Sequence, residues 1–129
     1  MNSIELVCLE LSVVLFIAHV VCQAVLAQGE FGQPFLLSPR DEQPPARGLA
    51  IGRATRALHN FTENYGPFVA MDLALIVTGH TGGLGAAVWL VARVIYLPLY
   101  LTGIPVARTV IWGISIVGLV MMLARLAFS

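Results

Sequence analysis

Apolar residues along this chain gather into four stretches, about Ile4 to Ala27, Thr55 to Thr78, Leu84 to Leu101 and Pro105 to Phe128. Each is close to the ~20 residues a helix needs to cross a bilayer. Hydrocarbon offers no hydrogen-bond partners, so a chain that lies mostly within it must be helical. Between the first two stretches, Gln28 to Arg53 is polar and rich in Pro and Gly, with Ser38-Pro39-Arg40-Asp41-Glu42 and Pro44-Pro45, and reads as an irregular loop. The other connections are short. Gly79 to Gly83 makes a tight turn, and Thr102-Gly103-Ile104-Pro105 stops the third stretch and places Pro in the first turn of the fourth. Neighbouring helices therefore run antiparallel, and the expected fold is all-α: one four-transmembrane-helix bundle over residues 1–129. Pro67 and Pro98 fall inside the second and third stretches, where each removes a backbone donor and is expected to bend its helix.

Composition supports the membrane class: of 129 residues 58% are hydrophobic and 11% charged, with a mean hydropathy of +0.87, outside the range of soluble domains. The net charge is zero, so no basic surface suits nucleic acid. Arginine is unevenly spread. Arg40, Arg47 and Arg53 lie in the first loop and Arg108 just after the third span, which puts both termini away from the cytoplasm, with Arg125 the one opposing charge. Val25-Leu26-Ala27 resembles a signal-peptide cleavage site, but Glu5 and Glu10 precede it and the apolar run is longer than a signal core, so a retained first helix is expected. Cys8 and Cys22 are about 21 Å apart along one helix and cannot pair.

The candidate chemistry lies in charges that a bilayer penalises. Arg56, Asn60 and Glu63 recur at i, i+4 and i+7 on one face of the second stretch, with Arg53 a turn back and His59 beside the stripe. The third stretch carries Arg93, Tyr96 and Tyr100 at i, i+3 and i+7, and the fourth opens with Arg108, Thr109 and Trp112. A charge at mid-bilayer costs roughly 2.5 to 3.5 kcal/mol on the insertion scale, so each needs a partner, a cavity or an interface position. Arg53, Arg56 and Arg108 can snorkel from helix ends. Snorkelling does not account for the alignment of Asn60, Glu63 and the tyrosines. Glu5, Glu10 and His19 share no tight stripe by spacing, and Asp72 lies deep without a nameable partner. Asn60-Phe61-Thr62 matches a glycosylation sequon by chance, on a helix where it is inaccessible.

The run Gly52-Arg53-Ala54-Thr55-Arg56-Ala57-Leu58-His59-Asn60-Phe61-Thr62-Glu63-Asn64 resembles the RAxxNxxE motif of the MAPEG family, the membrane-associated proteins in eicosanoid and glutathione metabolism. Arg40-Asp41, the segment Ala92-Arg93-Val94-Ile95-Tyr96-Leu97-Pro98-Leu99-Tyr100, and Arg108-Thr109 after Gly103-Ile104-Pro105 agree in register, so the resemblance covers essentially the whole chain. It implies a homotrimer of left-handed four-helix bundles with glutathione, as cosubstrate, at subunit interfaces near the cytoplasmic side. For a bacterial-type member it implies the inner membrane. It further implies that Arg56, Asn60, Glu63, Arg93, Tyr96 and Tyr100 contact glutathione and that Arg108 activates its thiol. This chain departs from several members at His59, Thr109 and Trp112, where they have Arg, Ser and Tyr.

Glutathione carries two carboxylates, an ammonium and a thiol, and the residues supply a counterpart for each. Arg53, Arg56 and Arg93 suit carboxylates, Glu63 the ammonium, Asn60 a bridging role, and Tyr96 and Tyr100 the walls. Arg108 sits at the positive end of a helix, with Thr109 as a donor toward sulfur, a setting that favours thiolate. The expected activity is thiolate attack on a lipophilic electrophile or hydroperoxide from the bilayer. The rival class is a non-catalytic membrane module that binds lipid or a partner membrane protein, which fold alone does not separate. A proton path through Glu5, Glu10, Asp72 and Arg93 is disfavoured, because these residues show no common spacing.

Overall fold

Long apolar helices dominate the computed structural model, which describes residues 2–39 and 48–128. Its elements are α1 (Ile4–Phe31), the short α2 (Gln33–Leu36), α3 (Leu49–Val77), α4 (Gly85–Leu101) and α5 (Pro105–Ala127), and the described residues contain no strand. The all-α expectation holds, with four long helices running alternately up and down. α1 and α5 are long and apolar enough to cross a membrane, with mean hydropathies of 2.3 and 2.1 in their most apolar segments. α3 is as long but interrupted by charge, and α4 is short and apolar. α3 and α4 touch each other at the centre, α1 packs on both, α5 packs on both from the other side, and α1 and α5 do not meet among the described residues.

Two helices overrun their apolar stretches. α1 continues through Gln28, Gly29 and Glu30 to Phe31 and stops at Gly32, whose φ of 80° favours glycine. α3 begins at Leu49, six residues ahead of Thr55. Polar residues do not end a helix that has somewhere to go, and here the two overhangs meet: the Glu30 carboxylate accepts the Gly48 N–H at 3.1 Å. Arg40-Asp41 and Pro44-Pro45 lie outside the described residues, as does Arg47. Pro67 and Pro98 are accommodated within continuous helices.

The expected short connections are present and share one design. After α3, Gly79 (φ 76°) donates to the Ile76 carbonyl and His80 to that of Leu75. After α4, Gly103 (φ 75°) donates to Tyr100 and Ile104 to Leu99. Both are Schellman closures, with glycine at the left-handed position. Each turn is then gripped from another helix. Glu5 of α1 accepts the N–H groups of Gly82 and Gly83, Arg125 of α5 donates to the carbonyls of His80 and Thr81, and Arg53 of α3 donates to the Leu101 carbonyl at 3.2 Å.

The core is aromatic. Phe68 and Trp89 stack at 3.8 Å between centroids, and Phe61, Tyr65 and Phe16 extend the cluster across α3 and α1. Each such ring pair adds about 0.5–1.5 kcal/mol beyond burial. α4 and α5 approach backbone to backbone: a Cβ on Gly118 would lie 2.7 Å from the Trp89 nitrogen and 2.8 Å from the Gly85 oxygen. Small residues permit this in membrane bundles.

Gly118→Ala should therefore destabilise the fold by roughly 1–3 kcal/mol through overpacking. Gly113→Ala, with nothing within 4 Å of its Cβ, should be neutral or gain up to about 1 kcal/mol from helix propensity. Thermal unfolding in detergent compares the two, and an unchanged midpoint for Gly118→Ala would contradict the close crossing.

Candidate functional site

Three helices contribute side chains to one cleft at the end of the bundle that holds the first turns of α3 and α5. α3 supplies Arg56, His59, Asn60 and Glu63, α4 supplies Tyr96 and Tyr100, and α5 supplies Arg108, Thr109 and Trp112, around a cavity of about 390 Å³. Arg56, His59, Glu63 and Thr109 are exposed on this side of the isolated chain, so the cleft is open. The helical registers explain the convergence. Residues three or four apart stack on one face, and α4 and α5 are turned toward α3 by the tight 102–104 connection.

Seven of the nine residues singled out from sequence line the cleft: Arg56, Asn60, Glu63, Tyr96, Tyr100, Arg108 and Thr109. Arg53 and Arg93 do not. Arg53 turns to the Leu101 carbonyl and lies against Gly103, where a Cβ would come within 2.7 Å of its guanidinium carbon. Arg93 lies behind the cleft with 0% exposure. Its Nη1 donates to Asn60 Oδ1 at 2.7 Å, and its guanidinium lies 4.3 Å from the Tyr96 ring centroid and 5.5 Å from that of Phe61. Tyr96 and Tyr100 are 5.5 Å apart, and Arg108 sits 4.7 Å over Tyr100. Cations and rings thus alternate from α3 to the start of α5, an arrangement in which ring faces hold guanidinium groups.

Arg108 occupies the first turn of α5, where its N–H bonds the Ile104 carbonyl and Pro105 stands at the helix start. The unpaired N–H groups and dipole of that helix end add to its positive charge. The Thr109 hydroxyl donates to the Pro105 carbonyl at 3.0 Å, so its proton must be redirected before it serves a ligand. His59 and Trp112 are full members of the cleft. Their signal in the sequence was position alone: His59 adjoins Asn60, and Trp112 lies one turn beyond Arg108.

Buried ionisable groups extend away from the cleft on the α1 side. Glu5, Cys8, Ser12 and His19 face the bundle interior together, and Glu10 faces outward. Glu5, Glu10 and His19 do not share one tight stripe, as the spacing indicated, but Glu5 and His19 are fourteen residues apart, two heptads and close to four helical turns, and both are buried. Asp72 is fully buried, neither carboxylate oxygen is hydrogen-bonded within the described protein, and Glu5 and Cys8 lie within its electrostatic reach. Glu5 thus lies within electrostatic reach of Asp72, although their positions in sequence gave no hint of it. Ser12 meets the Tyr65 hydroxyl at 3.1 Å, and the Phe16 and Phe61 rings pack next to it, with the His19 ring 4.7 Å from Phe61. The described residues contain no group of His, Cys, Asp and Glu suited to a metal ion.

Such a bundle, with long apolar helices and a polar cleft lined by Arg56 and Arg108, is that of a helical membrane-associated protein. The family model for the MAPEG family matches residues 6–128, nearly the whole chain, and the protein belongs to that family. No individual curated protein and no solved structure matches it.

Arg53 and Arg56 separate in their expected behaviour. Arg53→Ala should lower stability by about 0.5–1.5 kcal/mol by freeing the α4 terminus, whereas Arg56→Ala, on an exposed cleft wall, should leave the unfolding midpoint within about 0.5 kcal/mol of wild type. Parallel melts in one detergent read both.

Proposed function

We propose that this protein is a four-span membrane enzyme that binds glutathione in the cleft and directs its thiolate to a lipophilic electrophile or hydroperoxide. The observation that supports this most is the meeting in one cavity of Arg56, Asn60, Glu63, Tyr96, Tyr100 and Arg108 from three helices. Family membership supports a glutathione-related role. The cleft end carries Arg53, Arg56 and Arg108, and the sequence between the first two spans adds Arg40 and Arg47, against Arg125 near the C-terminus; by this arginine bias the cleft end faces the cytoplasm, where glutathione is available, and both termini face away. For a bacterial member that membrane is the inner one. The open side of the cleft suits closure by neighbouring copies in a homotrimer.

In this reading a carboxylate of glutathione pairs with Arg56, and the ammonium pairs with Glu63. The tyrosine rings wall the peptide. Arg53 contributes by fixing the turn from which α5 starts. A free thiol with a pKa near 8.5 is only a few per cent thiolate at neutral pH, and lowering it by about two units takes ~2.7 kcal/mol of differential stabilisation. Arg108 supplies it with its own charge and the helix end behind it. Thr109 turns its proton from Pro105 to the sulfur when the ligand arrives. The sulfur then bonds to the electrophilic carbon of an acceptor entering from the bilayer and displaces its leaving group as an anion; with a hydroperoxide it takes the terminal oxygen, the O–O bond breaks, the alcohol leaves, and a second glutathione reduces the resulting sulfenic acid to give the disulfide and water.

A non-catalytic lipid-binding module is the second reading. It is favoured by an apolar groove of about 450 Å³ between α4 and α5, lined by residues such as Val88, Val91, Ile95 and Ile114. Calorimetry with glutathione on detergent-purified protein decides between the two, together with the ultraviolet absorbance of the bound thiolate. Saturable binding is expected, with the thiolate signal lost in Arg108→Ala while binding weakens by about tenfold or less. Absence of binding by wild type leaves the lipid-binding module as the function, and an undiminished thiolate in Arg108→Ala removes Arg108 from the mechanism.

A further inference from the structure

Arg93 lies behind the cleft wall and does not line the cavity. It is fully buried, and among the described residues its Nε and Nη2 are without hydrogen-bond partners while Nη1 donates to Asn60 Oδ1 at 2.7 Å. Phe61 and Tyr96 cover the guanidinium, and the His19 ring packs on Phe61 at 4.7 Å within electrostatic reach of Arg93. Asn60 belongs to the cleft wall. An asparagine amide has two faces of opposite character, one accepting and one donating, and in most settings it can flip between them. A guanidinium has five donors and no acceptor, so it tolerates only the oxygen. The nitrogen end of Asn60 is left as the group it offers to the cleft.

From this pairing we infer that Arg93 is a positioning residue: it locks the Asn60 amide so that the cleft presents a fixed N–H donor, and Asn60 therefore reads a carbonyl or carboxylate oxygen of the ligand. This rests on the proposed glutathione site and deepens it, since glutathione offers both kinds of oxygen. Burial makes the lock effective. Arg93 is fully buried with ring faces around it, and a charge-assisted bond to Asn60 Oδ1 in such surroundings is stronger than the same bond at a surface. Direct contact between Arg93 and the ligand is not required.

Asn60→Asp separates this role from a purely structural one. It keeps the oxygen facing Arg93 and turns the bond into an ion pair, but it replaces the donor by a second oxygen. The variant should unfold at or above the wild-type temperature and lose roughly 10- to 100-fold in glutathione affinity by calorimetry. Arg93→Met removes the lock and should weaken binding by about tenfold, and Arg93→Lys, still a donor-only cation, should recover part of that loss. A second readout needs no ligand. In protein labelled with nitrogen-15 at asparagine, the side-chain amide signals of Asn60 should move in Arg93→Met, while those of Asn64 stay in place.

Wild-type affinity in Asn60→Asp, or unmoved Asn60 amide signals in Arg93→Met, overturns the inference. If wild type binds no glutathione, the proposed function fails by itself, and the amide signals still decide whether Arg93 holds Asn60.

Discussion

A full positive charge held at the centre of an apolar bundle constrains everything around it. Arg93 can remain buried only because α3 brings an acceptor within 2.7 Å and because two aromatic faces cover the guanidinium. An uncompensated buried charge costs several kcal/mol, so the pairing between α3 and α4 fixes their relative rotation and height. Once that register is set, Phe61, Phe68 and Trp89 stack on one side, and Tyr96 and Tyr100 fall into line toward α5 on the other. The cleft is the surface expression of that internal bond.

The ends of the bundle follow a second rule, in which each tight turn is held by a charged side chain from a different helix. Backbone groups at helix termini lack intrahelical partners and must find others when water is scarce. Glu5 meets that need before α4, Arg125 serves the carbonyls of the same turn, and Arg53 serves the end of α4. Glu5, Arg53 and Arg125 are accounted for in this way. The close crossing at Gly85 and Gly118 completes the frame by bringing α5 against α4, and α5 carries Arg108 toward Tyr100.

Much of the architecture was legible in the chain. Apolar length and Gly-Pro punctuation marked the four long helices and both short turns, because these depend on local chemistry. The helix limits on either side of the first loop were not legible. Gln28 to Glu30 and Leu49 to Thr55 are helical because the overhangs meet through Glu30 and Gly48, a contact between residues eighteen positions apart. The i, i+4, i+7 stripe of Arg56, Asn60 and Glu63 was visible as a face, and the cleft uses that face.

Periodicity ranks residues around one helix axis but does not tell whether a side chain ends in a cavity, at a turn or behind a wall. Arg53, Arg56 and Arg93 therefore looked equivalent in sequence, although one caps a helix, one lines the cleft and one lies behind Asn60. The electrostatic proximity of Glu5 to Asp72 and of His19 to Arg93 depends in the same way on how α1 is rotated against its neighbours. By itself the sequence determined the helices, their order and the faces that carry charge, since these follow from local spacing and the cost of exposing polar backbone to hydrocarbon. Only the tertiary structure decided which charges meet, because that depends on rotations and depths set by packing between helices distant in sequence.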